Sequence, residues 1–249
     1  MFAGLGGWSG AFLERGHEVV TTDFDPRFGC TVTGDILDEA TLTALIALGP
    51  YDVVLASPPC EGFTVMNIGK NWHGEGCPEA CRATHVNHSP KTDSARLAQR
   101  IVERTRVVIA TLAPTYFIIE NPVAKLRKLP VVADLDRRTV TYCRLGETRR
   151  KPTDLWGEFP PSLVLPEQCV TIRGQVWTDP DGVPWATTVD GLACHVSAPR
   201  GSKTPGSTQG IKGAPSRAEV PIGLSRLVAI AAEADLAAGR APRSLTLGL

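Results

Sequence analysis

Residues 51–57, Tyr51-Asp52-Val53-Val54-Leu55-Ala56-Ser57, form a short apolar run closed by two prolines, Pro58-Pro59. The run is nearly continuous and too short for a helix, so it predicts a strand covered on both faces. Two further runs share its character. Glu18-Val19-Val20-Thr21-Thr22-Asp23 ends in an acid, and Tyr116-Phe117-Ile118-Ile119-Glu120 ends in another. Between these runs the spacing predicts helices over 8–15, 41–48 and 94–112, stopped by Gly16, by Gly49-Pro50 and before Pro114. The longest places Leu97, Ile101, Thr105, Val108, Ile109 and Leu112 on one face. Strands alternating with helices predict an α/β fold on a mostly parallel sheet. Such sheets bind ligands beyond the carboxyl ends of their strands.

The pattern changes after Lys151. Residues 152–218 are rich in Pro, Gly, Ser and Thr and show no helical period, which predicts a small, irregular, loop-rich module. One amphipathic helix follows, about 217–238, with Leu224, Leu227, Val228, Ala231 and Leu236 on its apolar side. The expected organisation is therefore a catalytic domain over 1–151, a small module over 152–218, and a C-terminal helix within 219–249 that packs back on the first domain.

Composition bounds the function. The chain has 249 residues, 26 basic and 26 acidic, for a net charge of zero, with 43% hydrophobic content. These values fit a globule large enough to bury its own core and exclude a disordered chain. No apolar run reaches the ~20 residues of a membrane helix. The first residues, MFAGLGGWSG, lack a basic stretch and do not read as a signal peptide. With seven cysteines, an odd number, at least one is left over from pairing within the chain. A reducing, cytoplasmic compartment is expected, with cysteines serving as core residues, metal ligands or a nucleophile.

Several clusters carry chemistry. Phe2-Ala3-Gly4-Leu5-Gly6-Gly7 is a glycine loop opening a helix, suited either to a ligand's close approach or to a plain tight turn. The strand that should precede it is a stub or lies upstream of Met1. Asp23 suits a ribose diol, Phe24 beside it an adenine face, and Asp35 with Ile36 the adenine edge; the alternative is strand-end turns with solvated acids. In Ser57-Pro58-Pro59-Cys60-Glu61-Gly62-Phe63-Thr64 the prolines stiffen a strand exit and present a thiol, either a buried small hydrophobe or a nucleophile. Glu120-Asn121-Pro122 places a carboxyl at another strand end, which with the thiol makes a nucleophile and acid pair or else caps a loop.

In order and spacing, the series Phe2 to Gly7, Asp23, Gly34-Asp35-Ile36, Pro59-Cys60 and Glu120-Asn121 resembles the cytosine-C5 DNA methyltransferases. The segments Pro90-Lys91-Thr92-Asp93, Tyr142 to Gly146, Arg150 to Trp156 and Cys194 to Ser202 are similar to the short phage- and plasmid-borne members. The resemblance implies a Rossmann-like fold binding S-adenosylmethionine through Phe2, Ala3, Gly4, Leu5, Gly6, Gly7, Asp23, Phe24, Asp35, Ile36 and Pro59. It implies Cys60 as the nucleophile at C6 of a flipped cytosine and Glu120 as the holder of N3 and the exocyclic amine. Arg149 and Lys151 fall on two of three positions of a basic family motif, with Thr153 on the third. Glu61 stands where the family often has Gln, Thr64 where it has Ser, and Pro122 where it has Val. The implied setting is a bacterial host cell, and the implied partner is double-stranded DNA, bound by a monomer and read by the small module. Three rival readings are the same chemistry on RNA, transfer of a group other than methyl, and a silent, zinc-dependent nucleic-acid-binding module. An amino methyltransferase would carry an aromatic residue where Cys60 stands.

Cys77, Cys81, His85 and His88 follow at spacings of four, four and three, which suits a zinc site or a loop with incidental Cys and His. Cys169, Cys194 and His195 form a sparser set, and one zinc drawing on both sets is also open. Cys30 and Cys143 read as core residues. Between Arg137 and Lys151 six basic residues face only Glu147, and from Gly191 to Ala218 Arg200, Lys203, Lys212 and Arg217 meet no acid. These stretches suit a phosphate-facing surface or else a solvated face, with Trp156, Trp177 and Trp185 as packing or stacking candidates.

Overall fold

The computed structural model describes residues 1–65, 68–74, 88–180, 183–196 and 218–240. In chain order the main elements are α1 (Ser9–Glu14), β1 (Thr22–Asp23), β2 (Val32–Thr33), α2 (Glu39–Ala47), β3 (Val53–Ala56), α3 (Ile68–Asn71), α4 (Asp93–Leu112), β4 (Tyr116–Pro122), β5 (Arg137–Thr141), β6 (Pro152–Glu158), β7 (Thr171–Thr178), β8 (Pro184–Thr188), β9 (Ala193–His195) and α5 (Ile222–Ala237).

The main sheet runs β3-β4-β6-β5. Only β3 and β4 are parallel, while β6 is antiparallel to both its neighbours. A second parallel pair, β1 and β2, stands beside it. The first residues of the chain bridge the two: the Met1 nitrogen donates to Leu55 O at 2.7 Å and the Ala3 N–H to Thr22 O at 3.0 Å. The sheet is thus mixed rather than mostly parallel. The strand expected over 18–23 is reduced to Thr22–Asp23, because β2 offers only two residues to pair with.

Period-2 alternation explains the layers. From β4, Ile119 points into a core with Val54, Trp156 and the α4 residues Ala95, Ala98, Val102 and Ile109. Its neighbour Ile118 points the other way, toward Leu155, Val140 and the α5 residues Leu224, Val228 and Ala231. The sheet is therefore covered on both faces, by α4 on one and by α1 with α5 on the other. α4 begins with Thr92 as N-cap, whose hydroxyl accepts from Ala95 N at 3.2 Å, and ends at Ala113 in the left-handed region, before Pro114. Leu97, expected on its buried face, is instead exposed.

Two glycines are set by close approach. A Cβ on Gly157, in β6, would lie 2.1 Å from Phe117 O of β4. A Cβ on Gly7 would lie 2.3 Å from Val220 O, so α1 enters against the segment that leads into α5.

The stretch after Lys151 is not irregular. Pro152–Glu158 is a central strand of the main sheet. Its Asp154 is fully buried, with Arg127 bidentate on it at 2.8 and 2.7 Å and the Thr139 hydroxyl donating at 2.7 Å. A three-stranded antiparallel sheet, β7-β8-β9, follows. These strands escaped the sequence reading because β7 is exposed along most of its length and its pairing with β8 is broken by a register shift. Among the described residues, no helix is long and apolar enough to cross a membrane.

Candidate active site

The exit of β3 is clamped from several sides. The Ser57 hydroxyl accepts from Trp8 Nε1 at 2.9 Å, which ties the loop to α1. Pro58 O accepts from the buried Asn121 Nδ2 at 2.8 Å, which ties it to the end of β4. Gly62 O accepts from Trp72 Nε1 at 2.7 Å and from Asn71 Nδ2 at 3.3 Å. The buried ring of Phe63 stacks on Trp72. Cys60 lies inside this frame as a free, half-buried thiol. The prolines and the Asn121 bond together leave the loop little freedom.

Glu120, on β4, is buried. Its Oε1 accepts from the Tyr142 hydroxyl at 2.9 Å, and Lys151 Nζ stands 3.9 Å from the same oxygen. Lys151 also lies over the Tyr142 ring, 4.6 Å from its centroid, and Arg149 lies 5.1 Å from it. Burial pushes the Cys60 thiol above its ordinary value, Lys151 pulls it down, and Glu120 and Glu61 push it up. The cation that pairs with the carboxylate thus also acts on the thiol. Burial, then Glu120, raises Tyr142 well above the usual phenol range, so its hydroxyl stays a donor.

Arg149 is buried, donating to Glu147 and, at 2.8 Å, to Glu219 O. It therefore braces the wall behind Tyr142. The basic run 137–151 is largely engaged within the molecule, contrary to the reading of it as an open phosphate surface. Arg138 pairs with Asp136 and lies over Phe159, Arg144 pairs with Asp190, and Arg149 with Glu147. Asp136 and Glu147 stand two residues from their partners, whereas Asp190 is brought to Arg144 from 46 positions away. Arg200, Lys203, Lys212 and Arg217 lie outside the described residues.

At the end of β1, in the neighbouring two-stranded sheet, Asp23 organises the glycine loop. Its buried carboxylate accepts from Gly4 N at 3.0 Å and from Asp25 N at 3.1 Å. Gly4 and Gly6 adopt positive φ, and a Cβ on Gly4 would meet open space. Phe24 is an exposed ring beside Asp23, and Leu5 is exposed on the loop. Phe2 has a φ of 58° and leans on the small core around Ile36, which is itself buried with Leu42, Leu45 and Val108. Asp35 is exposed and accepts from Leu37 N at 2.9 Å.

Cys77, Cys81 and His85 lie outside the described residues. His88 Nδ1 meets Lys125 Nζ at 2.7 Å. Cys143, expected in the core, is only half-buried and lies with Cys169 and Cys194, the three sulfurs within 4.8 Å of one another. Trp156 is core, while Trp177 and Trp185 stack on the small sheet. Sequence reasoning gave no individual role to Tyr142, Asn121 or Trp8. Each acts on a residue at least 22 positions away or through a backbone oxygen, and local pattern carries no trace of either.

No protein-family model matches the chain. It is 31% identical over 127 residues to the "Probable DNA (cytosine-5)-methyltransferase" of Frog virus 3 (isolate Goorha), over 48% of this chain and 53% of that protein. The chain resembles the cytosine-C5 DNA methyltransferases. It spans about half the length of that viral methyltransferase. A solved structure described as a "putative DNA modification methyltransferase encoded within prophage", from E. coli, is similar at 15% identity with a TM-score of 0.42, over 75% of this chain and 58% of that one.

Proposed function

We propose that this chain is an S-adenosylmethionine-dependent DNA cytosine-C5 methyltransferase. The observation that carries the reading is the junction of Pro58, Cys60, Glu120, Asn121 and Lys151: one hydrogen bond locks the thiol-bearing loop to the strand that bears the carboxylate. A nucleophile and a buried acid are thereby held together at the carboxyl ends of two parallel strands.

The residues present fit a nucleoside at the glycine loop. Gly4 leaves open space, Asp23 fixes the loop while each of its oxygens keeps a further lone pair, and Phe24 offers an exposed ring. Pro59 and Asp35 belong to the same edge in this reading. When bound, S-adenosylmethionine supplies an electrophilic methyl carbon. With Met1 to Ala3 counted as a strand between β1 and β3, the strand order fits a Rossmann-like domain. We assign the small sheet β7-β9, with its stacked Trp177 and Trp185, to target recognition.

Cytosine C5 is a weak nucleophile until C6 carries an adduct, and a base inside a duplex is out of a thiol's reach. The Cys60 thiol loses its proton, and its sulfur bonds to C6 of a flipped cytosine. The C5–C6 π electrons shift toward C4, and N3 takes the proton given up by the thiol through solvent, so that Glu120 accepts from the N3–H and the exocyclic amine. Lys151 offsets the negative charge shared by Cys60 and Glu120. Once C5 is alkylated, its proton passes to solvent, the C5–C6 double bond returns with expulsion of the Cys60 thiolate, and N3 gives its proton back to solvent.

DNA containing 5-fluorocytosine, mixed with protein and cofactor, tests the reading, because the missing C5 proton arrests the reaction at the covalent stage. A stable protein–DNA adduct is expected with the native chain and none with Cys60→Ala. Absence of an adduct on any DNA, together with an adduct on RNA or none at all, would remove the proposal.

A further inference from the structure

Away from the proposed active site, three cysteines distant in sequence converge. Cys143 lies in the short turn after β5, Cys169 in the loop before β7, and Cys194 on β9. Their sulfurs lie within 4.8 Å of one another, and the Cys169 and Cys194 sulfurs are 3.8 Å apart. A disulfide would need about 2.05 Å. A zinc ion with Zn–S bonds of about 2.3 Å in a tetrahedron sets its sulfurs about 3.8 Å apart.

The surroundings hold these positions. The Cys169 N–H donates to Thr141 Oγ1 at 2.7 Å, and Cys169 O accepts from Arg150 Nε at 3.3 Å. Cys194 and Cys169 are buried, whereas Cys143 is half-buried and leaves one side open. Three thiolates around a divalent ion carry one net negative charge, and Arg150 stands against the cluster to offset it. His195 is not a fourth ligand, since neighbours on a strand point to opposite faces. Its ring packs edge-on against Trp185 instead.

We propose that Cys143, Cys169 and Cys194 form a zinc site, completed by a solvent-derived ligand on the Cys143 side. The ion joins the turn beside Tyr142 to both ends of the β7-β9 sheet. It therefore fixes the small sheet to the main one, next to the residues that hold Glu120. A soft, thiophilic divalent ion suits three sulfurs, and magnesium or calcium does not.

The full chain, purified under reducing conditions without chelator, tests this by elemental analysis and cobalt substitution. Cys77→Ser/Cys81→Ser serves as the background, so that the other cysteine and histidine set contributes nothing. The expected result is a single zinc per chain, replaceable by cobalt with a strong thiolate-to-metal charge-transfer band whose intensity corresponds to three sulfurs. Adding Cys143→Ser, Cys169→Ser or Cys194→Ser should weaken that band or abolish it. Metal absent while all three thiols titrate, a spectrum of two sulfurs or fewer, or a Cys169–Cys194 disulfide under those conditions would each overturn the site. The cobalt spectrum of the background protein decides the matter even where a serine variant does not fold.

Discussion

The Tyr142 hydroxyl donates to Glu120 Oε1 at 2.9 Å, inside a region closed to solvent. This bond fixes which carboxylate oxygen is engaged and which is left for a substrate. Tyr142→Phe keeps the ring under Lys151 and Arg149 but leaves a buried oxygen short of a donor. Stability should fall by about 1–3 kcal/mol. If the proposed function holds, methyl transfer should slow by about tenfold or more, equivalent to ~1.4 kcal/mol in the barrier. Thermal melts and single-turnover rates on the same preparation check both values, and a variant as fast as the native chain would separate Tyr142 from the reaction.

The pH dependence of adduct formation follows from the surroundings of Cys60. Burial raises its thiol above the ordinary value, with Lys151 opposing. In the proposed mechanism the reactive form is the thiolate, so the rate should climb through neutral pH and keep climbing on the alkaline side. Lys151→Met removes the opposing cation and should displace the whole rise to higher pH. A pH series of adduct formation measures this; superimposable profiles would contradict the pairing.

Under the proposed mechanism, Asn121 acts on the Cys60 loop through Pro58 without being part of the nucleophile. Asn121→Ala deletes the 2.8 Å bond to Pro58 O and leaves a buried carbonyl without that donor. The expected cost is about 1–3 kcal/mol of stability, together with a fall in kcat larger than any change in cofactor affinity. Calorimetric titration with S-adenosylmethionine beside the kinetics distinguishes a displaced Cys60 loop from general unfolding.

Acid should loosen the contact between α1 and α5. Glu233 on α5 accepts from Arg15 and, at 2.6 Å, from His17, and these partners hold it down at about 2 against an ordinary 4.5. A carboxylate depressed in the folded state stabilises fully above its unfolded value and loses that contribution as pH falls through its folded one. The native chain should thus lose its advantage over Glu233→Gln between about pH 4.5 and about pH 2. Melting temperatures of the two proteins across that range should converge toward the acid end.

Much of the architecture was legible from local pattern. The apolar runs at 51–57 and 116–120 became β3 and β4 in parallel, and α4 spans Asp93–Leu112, one residue beyond the helix expected from spacing. These signals are strong because burial on both faces leaves a continuous hydrophobic imprint. The antiparallel β6 and the sheet β7-β9 were missed. Pro152-Thr153-Asp154 reads as loop chemistry, and only Arg127 and Thr139, brought from elsewhere, make a buried aspartate tolerable in a central strand.

The sequence by itself determined the chemical inventory: a thiol after two prolines, a carboxyl at a strand end, a glycine loop and an acid at 23. These depend on residue type and on neighbours a few positions away. Tertiary structure decided what surrounds each group. It set Lys151 beside Glu120, where its charge also acts on Cys60, brought Asp190 to Arg144, and drew Cys143 out of its expected place in the core to join Cys169 and Cys194. Charge and coordination fall off over a few ångströms of space, and the chain distance between such partners says nothing of that separation until the sheet has formed.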